Sequence, residues 1–557
     1  MKTAEVQDAG RTARPEPVAP SGPGWVPWLL LALALVPTVW MFTFVRGNNP
    51  MQWYDYWNIL PQVTNLDGSL AVHNLFRYQN EHPVAVPSLI YWVNAHLTGG
   101  SNIALGYFVF LVAALQVVFL SLAAREMLGW PWPRVWLLVL FVSSLLLAPR
   151  GAHNFALAMS GTAWLTANLF AVLALLVACR RSPLLAAPAA VLASSSYGTG
   201  LVVWPALVVV ALLQRRSRLT TRLLAASTGA VALVYYAGYE QPAAIPGTGR
   251  TVQGIFSRLC GVLGSPFSET SDIGSLFGVA ALCAAVWVLW THWKRDRLAG
   301  CAPWVGLLTY AIGGASLIAL SRGGFQPEVA GSSRYVSLGA LTWISLGIMA
   351  IPLVADLMRT TVALGFLSLV VFAGGATSIA SVRAEAAYAD ELAIALRLGA
   401  TPTEEAPYFD NDVIPILPVL RHYPFNNRFA LDCGYFGKTM TNRTVPAGET
   451  PAESPQVFGQ VESLLPTYYE NALRATGWVA TDGRSIRCIL LINQDNRVVG
   501  AAALAGRRQD VAGLGYAGAT RFNGVILRSD SPVSYRAVAV TGGRGEPVVL
   551  NGVLPDR

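Results

Sequence analysis

Long apolar runs, separated by short polar loops, fill residues 25–380 of the chain. A helix needs about 20 apolar residues to cross a bilayer, and most of these runs approach that length. The pattern predicts about eleven transmembrane helices, two of them short. Their ranges are residues 25–45, 103–123, 135–148, 155–178, 183–193, 201–213, 223–239, 273–293, 303–320, 336–354 and 362–379.

Two further stretches are apolar but depart from this pattern. Residues 84–97 are interrupted by Pro87, Asn94 and His96. We interpret them as a continuation of the first loop or as the start of the second helix. Residues 255–263, within a loop rich in Gly and Pro, have the spacing of an amphipathic segment.

The periodicity changes after residue 380. Residues 384–398 predict an amphipathic helix that leaves the last span, and an irregular, Pro-rich connector follows it. Short apolar segments separated by Gly, Asn and Asp then predict a β-sandwich of about 90 residues. These segments are residues 486–492, 497–500, 525–527, 535–540 and 547–550.

The expected fold class is therefore a mainly α membrane protein, with a polytopic bundle and a C-terminal, extracytoplasmic β-sandwich-like domain. Four parts follow from the pattern. They are a disordered cytoplasmic tail at residues 1–24, a transmembrane domain at 25–380, a juxtamembrane helix and connector at 381–466, and a β-rich domain at 467–557.

The composition agrees with this class. Of 557 residues, 54% are hydrophobic and only 13% are charged, whereas a soluble chain carries about 25% charged residues. The lipid bilayer is thus an expected partner. The formal net charge of +8 is concentrated in short loops, which is typical of cytoplasmic loops, so we expect no nucleic-acid partner.

Basic loops orient the bundle. Arg180 and Arg181, the cluster at 215–222 and the cluster at 294–297 all lie on one face under an eleven-helix count. By the positive-inside rule this face is cytoplasmic, which places the N-terminus inside and residues 381–557 outside. Cys433 and Cys488 then share the outer compartment, where they could form a disulfide.

Unusual polar residues collect in the loops of the opposite, outer face. In the first loop they accompany aromatic residues, a mixture that a mere connection between helices does not need. Such groups near hydrocarbon indicate a site, although an interfacial belt with snorkelling charges would use the same residue types. The candidates are Asp55, Trp57, Arg77, Glu81, His82, Arg150, His153, Tyr197, Arg322, Arg334 and Tyr335.

Chemical roles follow from these residue types. Arg322 and Arg334 can each hold phosphate oxygens with two hydrogen bonds. Asp55, which directly follows the first helix, is our choice to accept a proton from a hydroxyl, with Glu81 as the reserve candidate. Either carboxylate can instead join His82 in holding a divalent cation such as Mg²⁺ or Mn²⁺. For the arginines the alternative is an interfacial anchor, and for His82 it is a helix cap beside proline.

Four short features resemble bacterial polytopic glycosyltransferases of the GT-C superfamily over residues 25–380. They are Asp55-Tyr56-Trp57 after the first helix, Asn80-Glu81-His82 later in that loop, Tyr197-Gly198-Thr199-Gly200 in a mid-bundle hairpin, and Ser333-Arg334-Tyr335 before a late helix. Many members of that superfamily have two adjacent acidic residues in the first loop. Here Asp55 stands between two tyrosines, which leaves the use of a metal open.

The resemblance implies an enzyme of the bacterial plasma membrane. Such an enzyme transfers a sugar from a polyprenyl-phosphate donor to an envelope glycan or glycolipid acceptor, and the position that matches the catalytic carboxylate is Asp55. The alternatives are a transporter or flippase, which would need polar groups near both faces, and a noncatalytic envelope assembly protein. The β-rich domain either binds carbohydrate or caps the outer loops.

Overall fold

The computed structural model describes most of the membrane half and most of the C-terminal sheet. The described residues are 25–52, 55–79, 81–239, 251–268, 270–322, 333–354, 356–375, 379, 382, 389–391, 393–395, 398–400, 433–440, 457–467, 469–481, 485–512, 516, 518–529, 534–542, 547–551 and 554–555. The predicted N-terminal tail lies outside this part of the chain.

Helices dominate the described residues up to 375. Seven of them are long and apolar enough to cross a membrane, which confirms a multi-pass membrane protein in contact with lipid. They are α1 (Val26–Arg46), α4 (Asn102–Leu128), α5 (Trp132–Leu146), α7 (Ala158–Arg180), α12 (Ser271–Lys294), α13 (Ala302–Ser321) and α14 (Val336–Ala350). Adjoining 3₁₀ turns extend the span of α5 to Trp132–Gly151 and that of α14 to Ser333–Leu353, which gives both the required length.

Shorter helices make up the rest of the bundle. They are α2 (Tyr56–Gln62), α3 (Ala85–Thr98), α6 (His153–Ala156), α8 (Ala187–Ser194), α9 (Val203–Leu213), α10 (Arg218–Ala237), α11 (Val252–Gly264) and α15 (Leu357–Ala373). The predicted spans at 183–193, 201–213 and 362–379 fall on shorter apolar helices, and the span at 223–239 falls on α10. The two stretches that departed from the pattern form α3 and α11.

Local chemistry explains where several helices begin and end. The Ser101 hydroxyl accepts a hydrogen bond from the Ala104 N–H at the start of α4, and Gly129 ends that helix at φ 63°. Ser217 and Thr251 cap α10 and α11 in the same way. Capping satisfies amide groups that the first turn of a helix leaves without intrahelical partners.

Helix α7 is the centre of the bundle, and it packs against α4, α9 and α13. Two polar bridges fix its position: the Gln116 amide donates to the Leu165 carbonyl at 3.1 Å, and the Tyr310 hydroxyl donates to Asn168 at 2.8 Å. At Gly161 a Cβ would stand 1.9 Å from the Asn154 carbonyl oxygen, so only glycine allows this approach of α6 to α7. The outer ends of the helices are thereby held in register.

The C-terminal domain is one curled antiparallel sheet in place of the predicted sandwich. Two short strands, β1 (Tyr78–Gln79) and β2 (His82–Pro83), belong to the first loop of the membrane half. The strands of the C-terminal sheet are β3 (Val457–Pro466), β4 (Ala472–Thr481), β5 (Ile486–Ile492), β6 (Val498–Arg507), β7 (Thr520–Leu527), β8 (Ser534–Thr541), β9 (Val548–Val549) and β10 (Leu554–Pro555). Their order is β10-β8-β5-β6-β7-β4-β3, and β9 pairs with β8. Strand β3 lies in the range that the sequence assigned to the connector.

The curl explains how a single sheet buries a core. Its inner side encloses alternate residues such as Val479, Ile489 and Phe522. Near the two ends of the strand order, Asn551 bridges to Gln460 and brings the edges together. A disulfide between Cys433 and Cys488 fastens residues 433–440 over part of the outer side.

The predicted juxtamembrane helix joins the two halves of the chain. Its described residues between 389 and 398 are helical. Ile394 and Leu398 pack on the outer side of the sheet. The buried Glu391 carboxylate accepts hydrogen bonds from Arg474 at 2.9 Å and from Thr467 at 3.0 Å. We call these three residues, Glu391, Arg474 and Thr467, the connector clamp.

Asp390, the residue before Glu391, contacts the membrane half. The Asn49 amide, just after α1, donates to the Asp390 carboxylate at 2.5 Å. Burial raises the pKa of Asp390 to about 6, while the Asn49 hydrogen bond acts in the opposite direction. Because this folded pKa lies above the usual value, the contribution of Asp390 to stability is lost as the pH rises from about 4 to about 6.

The connector clamp yields the first prediction. Arg474→Ala leaves the Glu391 carboxylate buried without its cation, which should cost roughly 2 kcal/mol because Arg474 is itself about a quarter exposed. Limited proteolysis in lipid should then cleave the connector faster than in the parent protein. Arg359→Ala is the matched control, since its ion pair with Asp356 is exposed. Equal cleavage of both variants would show that the clamp does not hold the domain.

Candidate functional site

A cavity of about 500 Å³ opens where α9 begins and where α10 and α13 end. Its lining divides into two parts. One wall is apolar and comes from the three helices: Leu201, Val202, Pro205, Val231, Ala232, Leu317, Ile318 and Leu320. The other end is polar and contains five of the residues that the sequence proposed: Glu81, His82, Tyr197, Arg322 and Tyr335. The lining therefore suits an amphiphilic ligand, with one apolar part and one polar part.

Glu81 is the acidic group of this cavity, and it is 2% exposed. Its Oε2 lies 3.8 Å from Arg322 Nη2 and 3.7 Å from His82 Nε2. Its Oε1 makes no hydrogen bond to the residues that the structure describes. A buried carboxylate is costly without a counter-charge, so Arg322 at the end of α13 compensates it while one oxygen stays available to a ligand.

His82 is held by a short network from its other side. Its Nδ1 lies 2.7 Å from the Tyr235 hydroxyl, which itself donates to the Glu81 backbone carbonyl. Because the Tyr235 proton is used there, we assign the proton of the neutral imidazole to Nδ1. The Nε2 lone pair and the Glu81 carboxylate then form two neighbouring acceptors, a place suited to a ligand hydroxyl.

The protonation state of His82 follows from its surroundings. Burial lowers the pKa of the His82 imidazole to about 4, and the Arg322 guanidinium acts in the same direction. The hydrogen bond with the Glu81 backbone opposes the shift. His82 is therefore neutral at pH 7.

Aromatic rings continue the polar end across the bundle. His82 lies 4.5 Å from Tyr197, Tyr197 lies 4.1 Å from Trp164, and Trp164 lies 5.4 Å from Tyr335, all between ring centroids. Next to Tyr197, a Cβ on Gly198 would stand 2.4 Å from His82 Nδ1. The glycine is thus needed for the imidazole to pack on this turn.

A second polar cluster lies beside the cavity, between the 3₁₀ turns Pro149–Gly151 and Ser333–Tyr335. The Ser333 hydroxyl donates to the Arg150 carbonyl and accepts from the His153 N–H at 3.2 Å. The buried Arg150 donates to the Gly374 carbonyl at 2.7 Å. This cluster joins the second and fifth outer loops to the end of α15, so Arg150 and His153 support the site without lining the cavity.

Arg334 is the second cation near the cavity. Its side chain is exposed, and its guanidinium lies 5.8 Å from the ring centroid of Tyr335. Its backbone carbonyl accepts from Asn154 at 3.1 Å. Arg322 and Tyr335 line the cavity, whereas Arg334 contacts Tyr335 without lining it.

Three proposed residues lie away from the cavity. Asp55 precedes α2, and Trp57 is buried in that helix, where its indole donates to the Gln52 carbonyl at 2.8 Å. Arg77 is exposed in the first loop. The described residues contain no group of three or more His, Cys, Asp or Glu side chains placed to hold a metal ion. Asp55, Glu81 and His82 therefore do not form the proposed ligand set, and we derive no step through a metal.

Other cavity residues were not among the candidates from the sequence. Trp164 and Tyr235 lie within predicted spans, where an aromatic ring looks the same whether it faces lipid or a cavity. The one available signal was the cluster Tyr235, Tyr236 and Tyr239 at the end of its apolar run. Such clusters are also typical of interfacial belts, so the signal is weak.

The network around His82 makes a prediction about pH. The NMR signal of the labelled His82 ring, assigned with a His82→Gln variant, should not shift between pH 5.5 and 8. In Arg322→Gln the midpoint should move upward, because a cation that opposes protonation is gone. The depressed pKa also means that His82 costs stability as the pH falls from about 6.5 to about 4. A midpoint at or above the ordinary value in the parent protein would instead indicate a charged pair with Glu81.

Comparisons of the chain with protein-family models, with curated proteins and with solved structures find no match. Sequence and structure therefore establish the class without a family. The chain is a polytopic helical membrane protein with a C-terminal antiparallel β-domain.

Proposed function

We propose that the protein is an integral-membrane glycosyltransferase that uses a polyprenyl-phosphate sugar as donor. The observation that carries the proposal is the cavity itself, in which the buried Glu81 and Arg322 face an apolar wall from α9, α10 and α13. An isoprenoid chain fits such a wall, a phosphate fits the guanidinium, and a sugar hydroxyl fits the acceptor pair of Glu81 and His82. The short motifs that resemble the GT-C superfamily support the same reading.

The chemistry is a single displacement at the anomeric carbon. A hydroxyl of the envelope glycan or glycolipid acceptor attacks this carbon and gives its proton to the Glu81 carboxylate. The bond from the anomeric carbon to the phosphate oxygen breaks, and the polyprenyl phosphate leaves with the electron pair. Arg322 stabilises the charge on the leaving phosphate. Neutral His82 accepts a hydrogen bond at Nε2 from a second, neighbouring hydroxyl of the acceptor sugar and so orients that sugar for attack.

Glu81 is our choice for the proton acceptor because it lines the cavity, whereas Asp55 does not. Asp55 lies at the start of α2, within the same loop, and is the second candidate for the proton acceptor. A role for Mg²⁺ or Mn²⁺ is tested by running the assay with each cation and with a chelator.

The proposed orientation places the cavity on the extracytoplasmic face of a bacterial plasma membrane. We propose eleven spans, made of the seven long helices, the shorter pair 183–194 and 198–213, α10 and α15. The basic loops then face the cytoplasm. The disulfide between Cys433 and Cys488 supports an outer β-domain, because disulfides persist in oxidising compartments.

This orientation can be tested with reporter fusions. A reporter that is active only in the cytoplasm should work at Arg216, and one that is active only outside should work at Arg557, because an odd number of proposed spans (α10, α12, α13, α14 and α15) separates the two positions. The same compartment for both fusions would contradict the orientation, and with it the extracytoplasmic site.

The transfer reaction gives the central prediction for catalysis. The purified protein in lipid should transfer label from a polyprenyl-phosphate sugar, and Glu81→Gln should lower the rate by about 10²–10⁴-fold because it removes the proton acceptor and keeps the shape. Asp67→Asn is the matched control, since Asp67 is exposed and accepts hydrogen bonds from Ser69 in its own turn.

Asp55→Asn in the same assay separates the two carboxylates. If Asp55→Asn abolishes transfer while Glu81→Gln keeps the parental rate, the proton acceptor is Asp55 and the role given to Glu81 is wrong. If both variants keep the parental rate, the first loop is an interfacial belt and the proposed mechanism fails.

A further inference from the structure

A strip of three aromatic rings crosses the outer side of the C-terminal sheet, away from the cavity. Tyr516 lies between the other two, with its ring centroid 5.3 Å from Phe458 and 5.1 Å from Trp478. Phe458 is 37% exposed, and Trp478 and Tyr516 are half-buried. We call these three residues the aromatic strip.

Strand register places the strip on the outer side. Val461, Val479 and Phe522 fill the inner core, so the alternate residues on β3, β4 and β7 point outward. Trp478 stands directly across from Gln460 on β3 and from Arg521 on β7. Both of these polar residues are exposed. The indole is therefore flanked by an amide on one side and a guanidinium on the other.

Other segments of the chain cover the parts of the outer side beyond the aromatic strip. Residues around Ile394 cover one part, and residues around Tyr435 cover another beside the disulfide. Among the described residues, the buried apolar side chains under the aromatic strip are those of Ala480, Val511 and Ala519. This apolar surface is small, and three large rings are not needed to cover it. Rings that remain in contact with solvent therefore indicate a binding surface.

A fixed charged cluster borders the strip. Arg508 donates to both oxygens of Glu462, at 2.7 and 3.0 Å, and to both oxygens of Asp510, at 2.8 and 2.7 Å. Glu462 is exposed on β3 two residues after Gln460, at a break in the β3–β4 register. With Arg521 on the other side of Trp478, the two carboxylates and two guanidinium groups around the strip balance, so this border has no cationic excess that would favour an anionic membrane surface.

We propose that the aromatic strip binds a neutral glycan of the cell envelope. The apolar C–H face of a sugar ring packs on an aromatic ring, while its hydroxyls need both donors and acceptors at the edge. Gln460 supplies an amide donor and acceptor, Arg521 supplies donors, and Glu462 supplies acceptor oxygens. The strip is only three rings wide, far smaller than the roughly 800 Å² that a stable protein partner covers.

The site is separate from the cavity and does not depend on the proposed catalysis. It would hold a long glycan at the β-domain, which the connector helix joins to the membrane half through the connector clamp and the Asn49–Asp390 hydrogen bond. Only its location outside the cell rests on the proposed orientation.

The test uses the full chain in phosphatidylcholine nanodiscs and gels that contain a neutral polysaccharide. Mannan, (1→3)-β-glucan, galactan and dextran are the probes. At least one should retard the parent protein, and Trp478→Ala should weaken that binding about tenfold, as removal of a central aromatic anchor does. Phe458→Ala, at the exposed end of the strip, should weaken it less.

Two controls make the outcome specific. Tyr435→Ala removes a half-buried ring from another part of the same sheet and should leave binding unchanged. Glu81→Gln should also bind the polysaccharide normally, which separates this site from the cavity. If Trp478→Ala unfolds, Phe458→Ala and Arg521→Ala decide the outcome. The proposal is overturned if no polysaccharide retards the parent, or if the folded strip variants bind as the parent does.

Discussion

A buried carboxylate in the first loop sets the main constraint on the membrane half. Glu81 is almost fully removed from solvent at the outer end of the bundle. A charge in such a place has to be compensated, and the guanidinium of Arg322 at 3.8 Å provides the compensation. Arg322 belongs to the end of α13, so the first loop and a late helix have to meet. Many contacts in this part of the bundle hold the first loop against the end of α13.

Several other features keep the loop in place. Tyr235 at the end of α10 bonds both the Glu81 carbonyl and His82, and Gly198 leaves room for the imidazole. Central helix α7 supplies Trp164 behind Tyr197. The helix that carries Asp390 and Glu391 ties the β-domain to the start of the same loop through Asn49. Positions far apart in the sequence thereby support one small group of polar atoms.

Hydropathy alone predicted the class of the protein, because lipid demands long apolar helices whatever their order in space. It also indicated Glu81, His82 and Arg322, since charges near hydrocarbon stand out in an apolar sequence. Alternation could not tell a sandwich from a curled sheet, because both give strands with one buried side and differ only in which strands pair. Spacing likewise could not show that Glu81 lines the cavity and Asp55 does not, since this depends on how the first loop folds back onto the bundle. Trp164 and Tyr235 were missed because the sequence of an apolar run does not show whether an aromatic ring faces lipid or a cavity.

The central claim is that the cavity binds a lipid through its phosphate, and equilibrium binding of a short-chain polyprenyl phosphate tests it most directly. Arg322→Lys keeps the charge but loses the planar fork, so the dissociation constant should rise about tenfold. Arg359→Lys, at an exposed position, should bind as the parent does. The corresponding polyprenol without phosphate should bind weakly to all three proteins. Equal affinity of the parent and Arg322→Lys for the phosphate, or equal affinity of the parent for phosphate and alcohol, would contradict the account.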